Sequence, residues 1–482
     1  MTVMSKERHS IILAAGLGTR MKSSKPKVLH PILGRTLLGH VLRAVGSIRP
    51  QRRVVVVGAA ADQVTDYLDQ SFPDAETALQ AEQNGTGHAV RVALDASPDM
   101  TGTVVVTVGD APLIRAETFQ ALVDTHEKHD NAATVLTAVV DDPTGLGRIV
   151  RDSEGKVERN VEHRDADDAT RAIHEINSGM YAFDVAALRE ALDKVTTDNE
   201  QGEEYLTDVL EILRDSQRQI GAHVVDDPTE VLGCNNRAQL ASLSAIMRER
   251  INRELMLAGV TIDDPATTWI DATVTVGRDV TIHPNCQLKG ATAVDAGASI
   301  GPDSTLIDTI VDADATVVRT HADQARIGAE ATVGPFTHLR PGSNIGTTSR
   351  AGAFVEMKNS EVGSGSKVPH LSYLGDTTVG EKANVGCGVI VANYDGVDKH
   401  RTDIGDGVFV GCDSVLVAPV NLDDGSYVAA GSVVTNDVHP GELAVARSRQ
   451  RNIDDWVPNK RPGTVTAEAA ERALREEGDT RE

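Results

Sequence analysis

The chain has 482 residues, with 71 acidic against 47 basic side chains and a formal net charge of −24. This length predicts two or three domains, and so negative a surface disfavours nonspecific binding to nucleic acid or to anionic membranes. No apolar stretch approaches the ~18 residues that cross a bilayer, and the first residues lack a signal-peptide pattern. The four cysteines show no metal-binding spacing. We therefore expect a cytoplasmic protein with reduced thiols and no membrane or nucleic-acid partner.

A glycine-rich loop follows the first apolar run. The stretch from Leu13 to Lys27 reads LAAGLGTRMKSSKPK. Glycines let the backbone approach a polyphosphate closely and form a nest of N–H groups for its oxygens, while Arg20 and Lys27 add positive charge. The spacing is not that of a Walker P-loop, and a turn with a solvated basic tail is the alternative. The loop resembles the signature loop of sugar-nucleotide pyrophosphorylases, which join a nucleoside triphosphate to a sugar 1-phosphate.

The first half of the chain alternates two patterns. The β-branched runs Val54–Val57 and Val104–Val108 have the unalternating apolar pattern of buried parallel strands. Between such runs, Asp62–Gln70 and Gly87–Ala96 have the pattern of amphipathic helices. This predicts an α/β domain, Rossmann-like with a mostly parallel sheet. Ligands of such sheets bind beyond the carboxyl ends of the strands, where the glycine loop and Asp110 both lie.

In the second half, aliphatic residues fall on every sixth position. A period of six fits neither a helix nor a single strand, and it is the hexapeptide signature of a parallel β-helix, here predicted to be left-handed. Interruptions at Lys358–Glu361 and Ala392–Arg401 are interpreted as loops extruded from the coils. The periodic residues are Ile270, Val276, Ile282, Leu288, Val294, Ile300, Leu306, Ile327, Val333, Leu339, Ile345, Ile404, Val410, Leu416, Leu422, Val428 and Val434.

The change of pattern sets the predicted domain boundaries. Residues 1–239 form the α/β domain, residues 240–258 form a helical connector, and residues 259–447 form the β-helix. Residues 448–482 form a charged, alanine-rich tail that is predicted to be flexible, either as a short exposed helix or as a disordered segment.

Several motifs in a fixed order extend the resemblance. After the glycine loop come QAEQNGTGHA (Gln80–Ala89), VGDAPL around Asp110, GRI (Gly147–Ile149), VEH (Val161–His163), EINSG (Glu175–Gly179) and NNR (Asn235–Arg237). With the hexapeptide repeats behind them, they resemble the bacterial bifunctional family that combines N-acetylglucosamine-1-phosphate uridyltransferase with glucosamine-1-phosphate N-acetyltransferase. The resemblance implies that the chain acetylates glucosamine 1-phosphate from acetyl-CoA. It also implies transfer of UMP from UTP to N-acetylglucosamine 1-phosphate, which supplies peptidoglycan and other cell-envelope precursors.

Uridyl transfer needs positioning and charge neutralisation for an in-line attack on the α-phosphorus, and Mg²⁺ is the expected cofactor. Asp110 is the candidate metal ligand, with the capping of a turn as the alternative. The resemblance implies that Asp110 and Asn235 hold the metal and that Arg20 and Lys27 neutralise phosphates during catalysis. It places Gln80, Gly85 and Thr86 against uracil and Gly147, Glu162 and Asn177 against the sugar, in a UDP-sugar site that also includes Leu13, Ala14, Ala15, Gly16, Lys27, Val108, Gly109, Asp110 and Asn235. Taken alone, Glu162 and Asn177 would be interpreted as partners of loop backbone groups.

Acetyl transfer needs a base for the ammonium proton of the sugar, and histidine, with an ordinary pKa of about 6.5, suits this role. The resemblance implies His370 as the base, whereas other histidines of the repeats are expected to be surface residues. No nucleophilic cysteine is expected, since direct transfer needs none and no base is evident near one in sequence. The resemblance places Arg340, Lys358, Tyr373 and Asn384 at the sugar phosphate, and Cys387, Asn393, Tyr394, Cys412, Ala430 and Arg447 along the acetyl-CoA groove.

Two cysteines depart from the family pattern. Cys412 stands where the family usually has serine, and Cys387 stands where it usually has alanine. A thiol is a poorer hydrogen-bond donor than a hydroxyl, so any orienting contact at Cys412 should weaken.

Hexapeptide-repeat acyltransferases pack as trimers with active sites between subunits, so the resemblance implies a homotrimer. One alternative is a β-helix that only oligomerises or binds effectors. The polar loops around His370 and Asn393 disfavour this alternative, because a purely structural β-helix does not need them. Another is a binding protein with an inactive nucleotide fold, and the presence of Arg20, Lys27 and Asp110 speaks against that.

Overall fold

A computed structural model shows two compact units, Met1–Glu330 and Ala331–Glu482. It describes residues 6–16, 18–58, 60–199 and 202–479. Leu17 of the glycine loop therefore lies outside the described residues, as do the first five and the last three residues of the chain. Within these ranges, no helix is long and apolar enough to span a membrane. The domain boundaries inferred from sequence stay predictions.

A nine-stranded sheet organises the first part of the first unit. The strands in chain order, with the separate hairpin β2–β3, are β1 (Arg8–Leu13), β2 (Pro31–Ile32), β3 (Arg35–Thr36), β4 (Arg53–Val57), β5 (Ala75–Leu79), β6 (Thr103–Val108), β7 (Ala133–Val139), β8 (Arg148–Arg151), β9 (Val157–Val161), β10 (Glu175–Asp184) and β11 (Ile220–Val224). The main order is β11-β7-β10-β6-β1-β4-β5, with β8 and β9 beside β10. Only β10 and the β8–β9 pair form antiparallel contacts in this sheet as described. The predicted, mostly parallel α/β fold is confirmed.

Helices cover both faces of the sheet. Ile12 and Val55 belong to one buried apolar cluster, whereas Ile11 and Val54 belong to another. Burial on both faces explains why these strands are apolar without alternation. The helices are α1 (Leu37–Val45), α2 (Ala61–Ser71), α3 (Thr86–Asp95), α4 (Ala116–Lys128), α5 (Asp168–Arg171), α6 (Val185–Leu192), α7 (Asp208–Asp215) and α8 (Arg237–Leu257), with 3₁₀ turns at Thr19–Met21, Lys27–Leu29, Gly46–Ile48 and Pro228–Val231.

After α8, the first unit continues as short parallel strands on three faces. The first face contains Thr261–Ile262, Thr281–Ile282, Ser299–Ile300 and Thr316–Val317. The second contains Trp269–Ile270, Gln287–Lys289, Thr305–Ile307 and Thr320–Asp323. The third contains Thr275–Val276, Ala293–Val294, Ile310–Val311 and Arg326–Ile327.

The second unit has the same three-faced arrangement. One face contains Thr332–Val333, Arg350–Ala353, Lys367–His370, Asn384–Val385, Phe409–Val410, Tyr427–Val428 and Leu443–Ala444. Another contains Thr337–Leu339, Glu356–Lys358, Tyr373–Gly375, Ile390–Ala392, Val415–Val417 and Val433–Val434. The third contains Asn344–Ile345, Glu361–Val362, Thr377–Val379, Thr402–Ile404 and Val420–Leu422. Helices α9 (Trp456–Lys460) and α10 (Val465–Asp479) follow in the tail.

The periodic aliphatic residues fill the interior of the coils. Ile300 and Leu339 are fully buried, as are nearly all residues of the series, and only Val276 is half-buried. Each coil therefore covers the aliphatic ladder of the next, and the predicted left-handed parallel β-helix is confirmed.

One of the two predicted loops is wrong. The chain does not leave the coil at Lys358–Glu361, because only Asn359 and Ser360 separate two strands there. Asn359 adopts the left-handed φ of +47° that turns the corner, and the Ser360 hydroxyl lies 2.9 Å from Lys358 O. Residues 393–401, in contrast, form a loop between strands Ile390–Ala392 and Thr402–Ile404.

Candidate active sites

Four residues of the predicted uridyl-transfer site meet beyond the carboxyl end of the central strand β6. Lys27 Nζ lies 2.5 Å from Asp110 Oδ2 and 3.5 Å from Asn235 Oδ1. Arg20 Nη2 donates to the same amide oxygen at 2.9 Å. The Lys27 and Asp110 side chains are each 16% exposed, so their ion pair is largely shielded from water. The cluster combines two cations with two oxygen ligands, as expected of a polyphosphate site.

Local geometry explains this convergence. Gly18 has a φ of +60°, and a Cβ there would lie 2.6 Å from the Lys27 Cβ, so only glycine lets the lysine pass so closely. On the other side, the Cys234 N–H donates to Asp110 O at 3.0 Å and thereby brings the start of α8 to the end of β6. The Asn236 side chain caps α8 by accepting from Gln239 N, which fixes the neighbouring Asn235.

The backbone of the glycine loop lies against the strand ends. Gly109 N donates to Leu13 O at 2.9 Å, and Ala14 N donates to Val56 O at 2.9 Å. Ala14 is buried, Ala15 is half-buried and Gly16 is exposed, with no atom within 4 Å of a Cβ built on it. The loop therefore offers open backbone at Gly16.

A cavity of about 570 Å³ adjoins these strand ends. Asn177 Nδ2 lies 2.7 Å from the Tyr181 hydroxyl, and Glu162 Oε1 accepts from Asn160 Nδ2 at 2.9 Å. Both Asn177 and Glu162 thus have partners within the protein while they face the cavity. Six of the predicted sugar-nucleotide residues line it, namely Leu13, Thr86, Val108, Gly147, Glu162 and Asn177.

The residues predicted to contact uracil also support their own loop. Gln80 is buried, and its Nε2 donates to Gly85 O at 3.0 Å. Gly85 has a φ of +105°, and a Cβ there would lie 2.4 Å from Glu204 O. Thr86 Oγ1 accepts from Leu206 N at 3.1 Å. These contacts fix the rim of the cavity, and the uracil contact itself stays a prediction.

Sequence reasoning missed part of this cavity. Tyr205, Glu203 and Asp165 also line it, and no period or motif marked them. Burial raises the pKa of Tyr205, and the neighbouring Glu203 raises it further. Gln83 was also missed as a loop contact, and its Nε2 donates to Ala15 O at 2.6 Å.

In the second unit, strand register brings the predicted sugar-phosphate residues together. Leu339 pairs with Met357 and Lys358 pairs with Gly375, so Arg340 and Lys358 occupy equivalent positions in successive coils. Lys358 Nζ lies 3.6 Å from Asp376 Oδ2, and Arg340 Nη1 lies 3.0 Å from Glu356 Oε1.

Lys399, on the loop of residues 393–401, was not predicted from sequence. Its side chain lies beside that of Lys358, and this neighbour, together with burial, lowers the pKa of the Lys358 ammonium. Two ammonium groups in contact favour an anion beside them, because a negative ligand relieves their repulsion.

A glycine brings a hydroxyl and an amide to the same place. A Cβ at Gly375 would lie 2.5 Å from the Tyr373 Oη and 2.7 Å from the Asn393 Nδ2. Asn393 also donates to Asp376 Oδ2 at 2.6 Å, and Asn359 donates to Oδ1 at 2.7 Å. Although burial opposes it, these hydrogen bonds keep the pKa of Asp376 below its ordinary value.

The predicted base and both unusual cysteines lie in one column. The register places His370, Cys387, Cys412 and Ala430 at equivalent positions of four successive coils. Backbone hydrogen bonds join successive coils along this column. Gly388 N donates to His370 O at 3.3 Å, Asp413 N donates to Cys387 O at 2.8 Å, and Gly431 N donates to Cys412 O at 2.8 Å. His370 and Cys412 are exposed and Cys387 is half-buried.

Of the remaining predicted residues of the second unit, Asn384 and Arg447 lie near this column, whereas Tyr394 does not contact it. Asn384 sits beside Lys367 and Phe409 in the ladder of the same face. The Arg447 Cδ lies 3.9 Å from a Cβ built on Gly431, next to Ala430. Tyr394 is exposed and donates its hydroxyl to Gly396 O within its own loop at 2.6 Å, so no described contact joins it to the column.

Comparisons with known proteins identify the family of the chain. The profile of the MobA-like NTP transferase domain matches residues 10–198. The bifunctional protein GlmU of Streptomyces avermitilis is 55% identical over 467 residues, which cover 96% of this chain and 97% of the relative. The chain belongs to the bifunctional protein GlmU family. Other members are those of Streptomyces coelicolor, 54% identical over 97% of both chains, and of Thermobifida fusca, 53% identical over 97% of this chain and 98% of the relative. The family resemblance inferred from the motifs is confirmed.

Proposed function

We propose that this GlmU family member makes UDP-N-acetylglucosamine in two reactions. It acetylates glucosamine 1-phosphate from acetyl-CoA, and it transfers UMP from UTP to N-acetylglucosamine 1-phosphate with release of pyrophosphate. The product supplies peptidoglycan, lipopolysaccharide and other cell-envelope precursors. The observation that carries the uridyl half is the convergence of Arg20, Lys27, Asp110 and Asn235. The column of His370, Cys387, Cys412 and Ala430 supports the acetyl half.

In the uridyl-transfer reaction, a phosphate oxygen of N-acetylglucosamine 1-phosphate attacks the α-phosphorus of UTP and pyrophosphate leaves. The attacking and leaving groups are both anionic, so the protein contributes chiefly position and positive charge. Arg20 and Lys27 supply that charge beside Asp110 and Asn235. Glu162 and Asn177 line the adjoining cavity and offer an acceptor and an amide to the sugar.

The residues of this cluster at the end of β6 fit a bound Mg²⁺. Asp110 Oδ2 and Asn235 Oδ1 both approach the Lys27 ammonium, so a carboxylate and an amide oxygen already converge on one cation. Carboxylate and amide oxygens are suitable ligands for Mg²⁺, which takes few from the protein in phosphate-transfer sites. Asp110 and Asn235 would hold the ion, which would supply positive charge against the phosphates.

In the acetyl-transfer reaction, His370 takes a proton from the sugar ammonium. The free amine then attacks the thioester carbonyl of acetyl-CoA, and the CoA thiolate leaves and is protonated. Arg340, Lys358 and Lys399 hold the sugar phosphate, and Tyr373 and Asn393 present polar groups beside it. Ala430 has a small side chain and leaves the column open where the pantetheine arm of the coenzyme would lie.

The proposal includes a cytoplasmic homotrimer. Phe336, Phe354 and Leu371 are 52%, 57% and 56% exposed at one corner of successive coils of the second unit. The two phenylalanine rings stack with centroids 5.1 Å apart. An apolar ladder of this kind beside His370 suits contact with a second copy of the chain. UTP and acetyl-CoA are cytoplasmic substrates, which favours that location.

The test is a reconstitution with single omissions. Purified protein receives glucosamine 1-phosphate, acetyl-CoA, UTP and Mg²⁺, and each is omitted in turn while free thiol and pyrophosphate are followed. Without acetyl-CoA, pyrophosphate release should collapse and should return when N-acetylglucosamine 1-phosphate is added. Pyrophosphate release that is independent of the acetylated sugar would contradict the uridyl half, and thiol release without glucosamine 1-phosphate would contradict the acetyl half.

A further inference from the structure

Cys387 and Cys412 are neighbours in space although a coil separates them in sequence. Asn384 pairs with Phe409 and Val385 pairs with Val410, and the same register continues into the turn, where Asp413 N donates to Cys387 O at 2.8 Å. The two thiols therefore project from equivalent positions of adjacent turns. They differ from the other two cysteines, Cys234 and Cys286, which are buried.

The spacing of adjacent coils suits a covalent link. In-register neighbours in a sheet have backbones about 4.8 Å apart, which lies within the window of roughly 4.4–6.8 Å for Cα atoms joined by a disulfide. The Cβ atoms must approach to about 3.8 Å, a movement of about 1 Å. Turn residues, which are not in the strand ladder on either side, can make such a movement more easily than strand residues can.

We infer that Cys387 and Cys412 are a modification site that closes to an intramolecular disulfide when the protein meets a peroxide. Cys412 is exposed and is the thiol that the peroxide reaches first. Its sulfur attacks one oxygen of the peroxide, so that an S–O bond forms, the O–O bond breaks and the other oxygen leaves as water or alcohol; Cys412 is then a sulfenic acid. The Cys387 sulfur then displaces the sulfenic oxygen as water. Two thiols and one peroxide thus give one disulfide, with two electrons passing from sulfur to oxygen.

His370 is placed to help the second step. It lies one coil before Cys387 in the same column, and Gly388 N, next to Cys387, donates to His370 O. The thiolate is the attacking form of cysteine, and an adjacent imidazole is the usual acceptor for its proton. Sequence separation concealed this neighbour, because a full coil of chain lies between the two residues.

The disulfide should switch off acetyl transfer, a consequence that rests on the proposed function. The link pulls the two turns together by about 1 Å between His370 and Ala430, and a misplacement of that size can lower a rate by about 100-fold. It also consumes the Cys412 thiol, which stands where a hydroxyl is usual. Uridyl transfer, whose residues lie in the first unit, should be unaffected.

The chemical test uses the full-length protein and limiting hydrogen peroxide. Titration in urea should show free thiols falling from four to two per chain. Non-reducing peptide mapping should find one linked pair, Cys387 with Cys412, lighter by two hydrogen atoms. Sulfinic acid at Cys412 without a link, or a link between two chains, would overturn the inference.

Three variants sharpen this test. Cys387→Ala and Cys412→Ser each remove one partner, so the linked peptide should disappear in both. Cys286→Ala deletes a buried thiol of the first unit as the matched control, and the linked peptide should remain. Loss of the link in the control as well would show general unfolding rather than a built site.

The activity test compares each protein with its own untreated sample. Oxidised wild type should lose acetyl transfer by about 100-fold, regain it in dithiothreitol, and keep uridyl transfer throughout. Each single-cysteine variant should keep its own starting rate of acetyl transfer after the same treatment. A mapped disulfide with unchanged acetyl transfer would overturn the switch. Absence of acetyl transfer in the reduced protein would instead contradict the proposed function, and the peptide map would still decide the disulfide.

Discussion

Replacement of Lys27 by alanine is the sharpest test of the uridyl-transfer site. Its ammonium contacts both Asp110 and Asn235 and is 16% exposed, so it acts where water screens charge poorly. Loss of one preorganised group of this kind costs about 3 kcal/mol of transition-state stabilisation, or about 150-fold in rate. The expected result for Lys27→Ala is a fall of kcat/KM for pyrophosphate release by at least that factor.

The same variant should remain folded. Loss of Lys27 leaves the 16%-exposed Asp110 carboxylate without its cation, and we expect the unfolding free energy to fall by about 1–3 kcal/mol, which is less than the stability of a typical folded domain. Acetyl transfer by the same preparation provides the internal control. Lys25→Ala is the matched variant, because Lys25 is an exposed lysine of the same loop. Near-wild-type pyrophosphorolysis by Lys27→Ala, or an equal loss in Lys25→Ala, would refute the assignment.

Three further predictions follow from the same geometry. His370→Ala should lower the rate of acetyl transfer by about 100-fold or more, as expected for loss of a general base, and should leave uridyl transfer intact. Normal acetylation of glucosamine 1-phosphate by this variant would contradict the role of His370. Gly375→Ala should displace the Tyr373 hydroxyl and lower kcat/KM for acetyl transfer by about tenfold, and an unchanged value would show that the close approach has no part in catalysis. Burial lowers the pKa of His40 and of His126 to about 4. The unfolded chain therefore binds more protons as pH falls from about 6.5 towards 4, and at pH 5 each histidine should cost about 2 kcal/mol of stability. Urea unfolding at pH 7 and pH 5 measures this, and His126→Gln should flatten the dependence.

Much of the fold could be predicted because its signals are local. Every sixth residue of the repeats faces the interior. The burial of Ile300 and Leu339 could therefore be predicted from their position in the repeat, before any contact was known. The Val54–Val57 run is apolar on both sides because helices cover both faces of the sheet. The wrong loop at Lys358–Glu361 had no such signal. A polar corner with a left-handed asparagine and a buried serine hydroxyl has the same composition as an exposed loop.

The sites depended on contacts that the motifs only implied. The glycine loop could be recognised because glycine permits a close approach of the backbone to a phosphate, whereas Gly109 was implied by the resemblance. Tyr205 and Lys399 could not, since each lies in a polar segment whose residues carry no period. They become neighbours of the site only when the chain returns from elsewhere in the fold.

The sequence by itself determined the two architectures, the glycine loop and the ordered motifs, because these depend on residue types at short, regular spacings. Tertiary structure alone decided that Arg20 contacts Asn235 across a separation of 215 residues. It alone decided that His370, Cys387 and Cys412 stand in one column. The physical reason is that strand order and coil register, which long-range packing fixes, determine which distant residues touch.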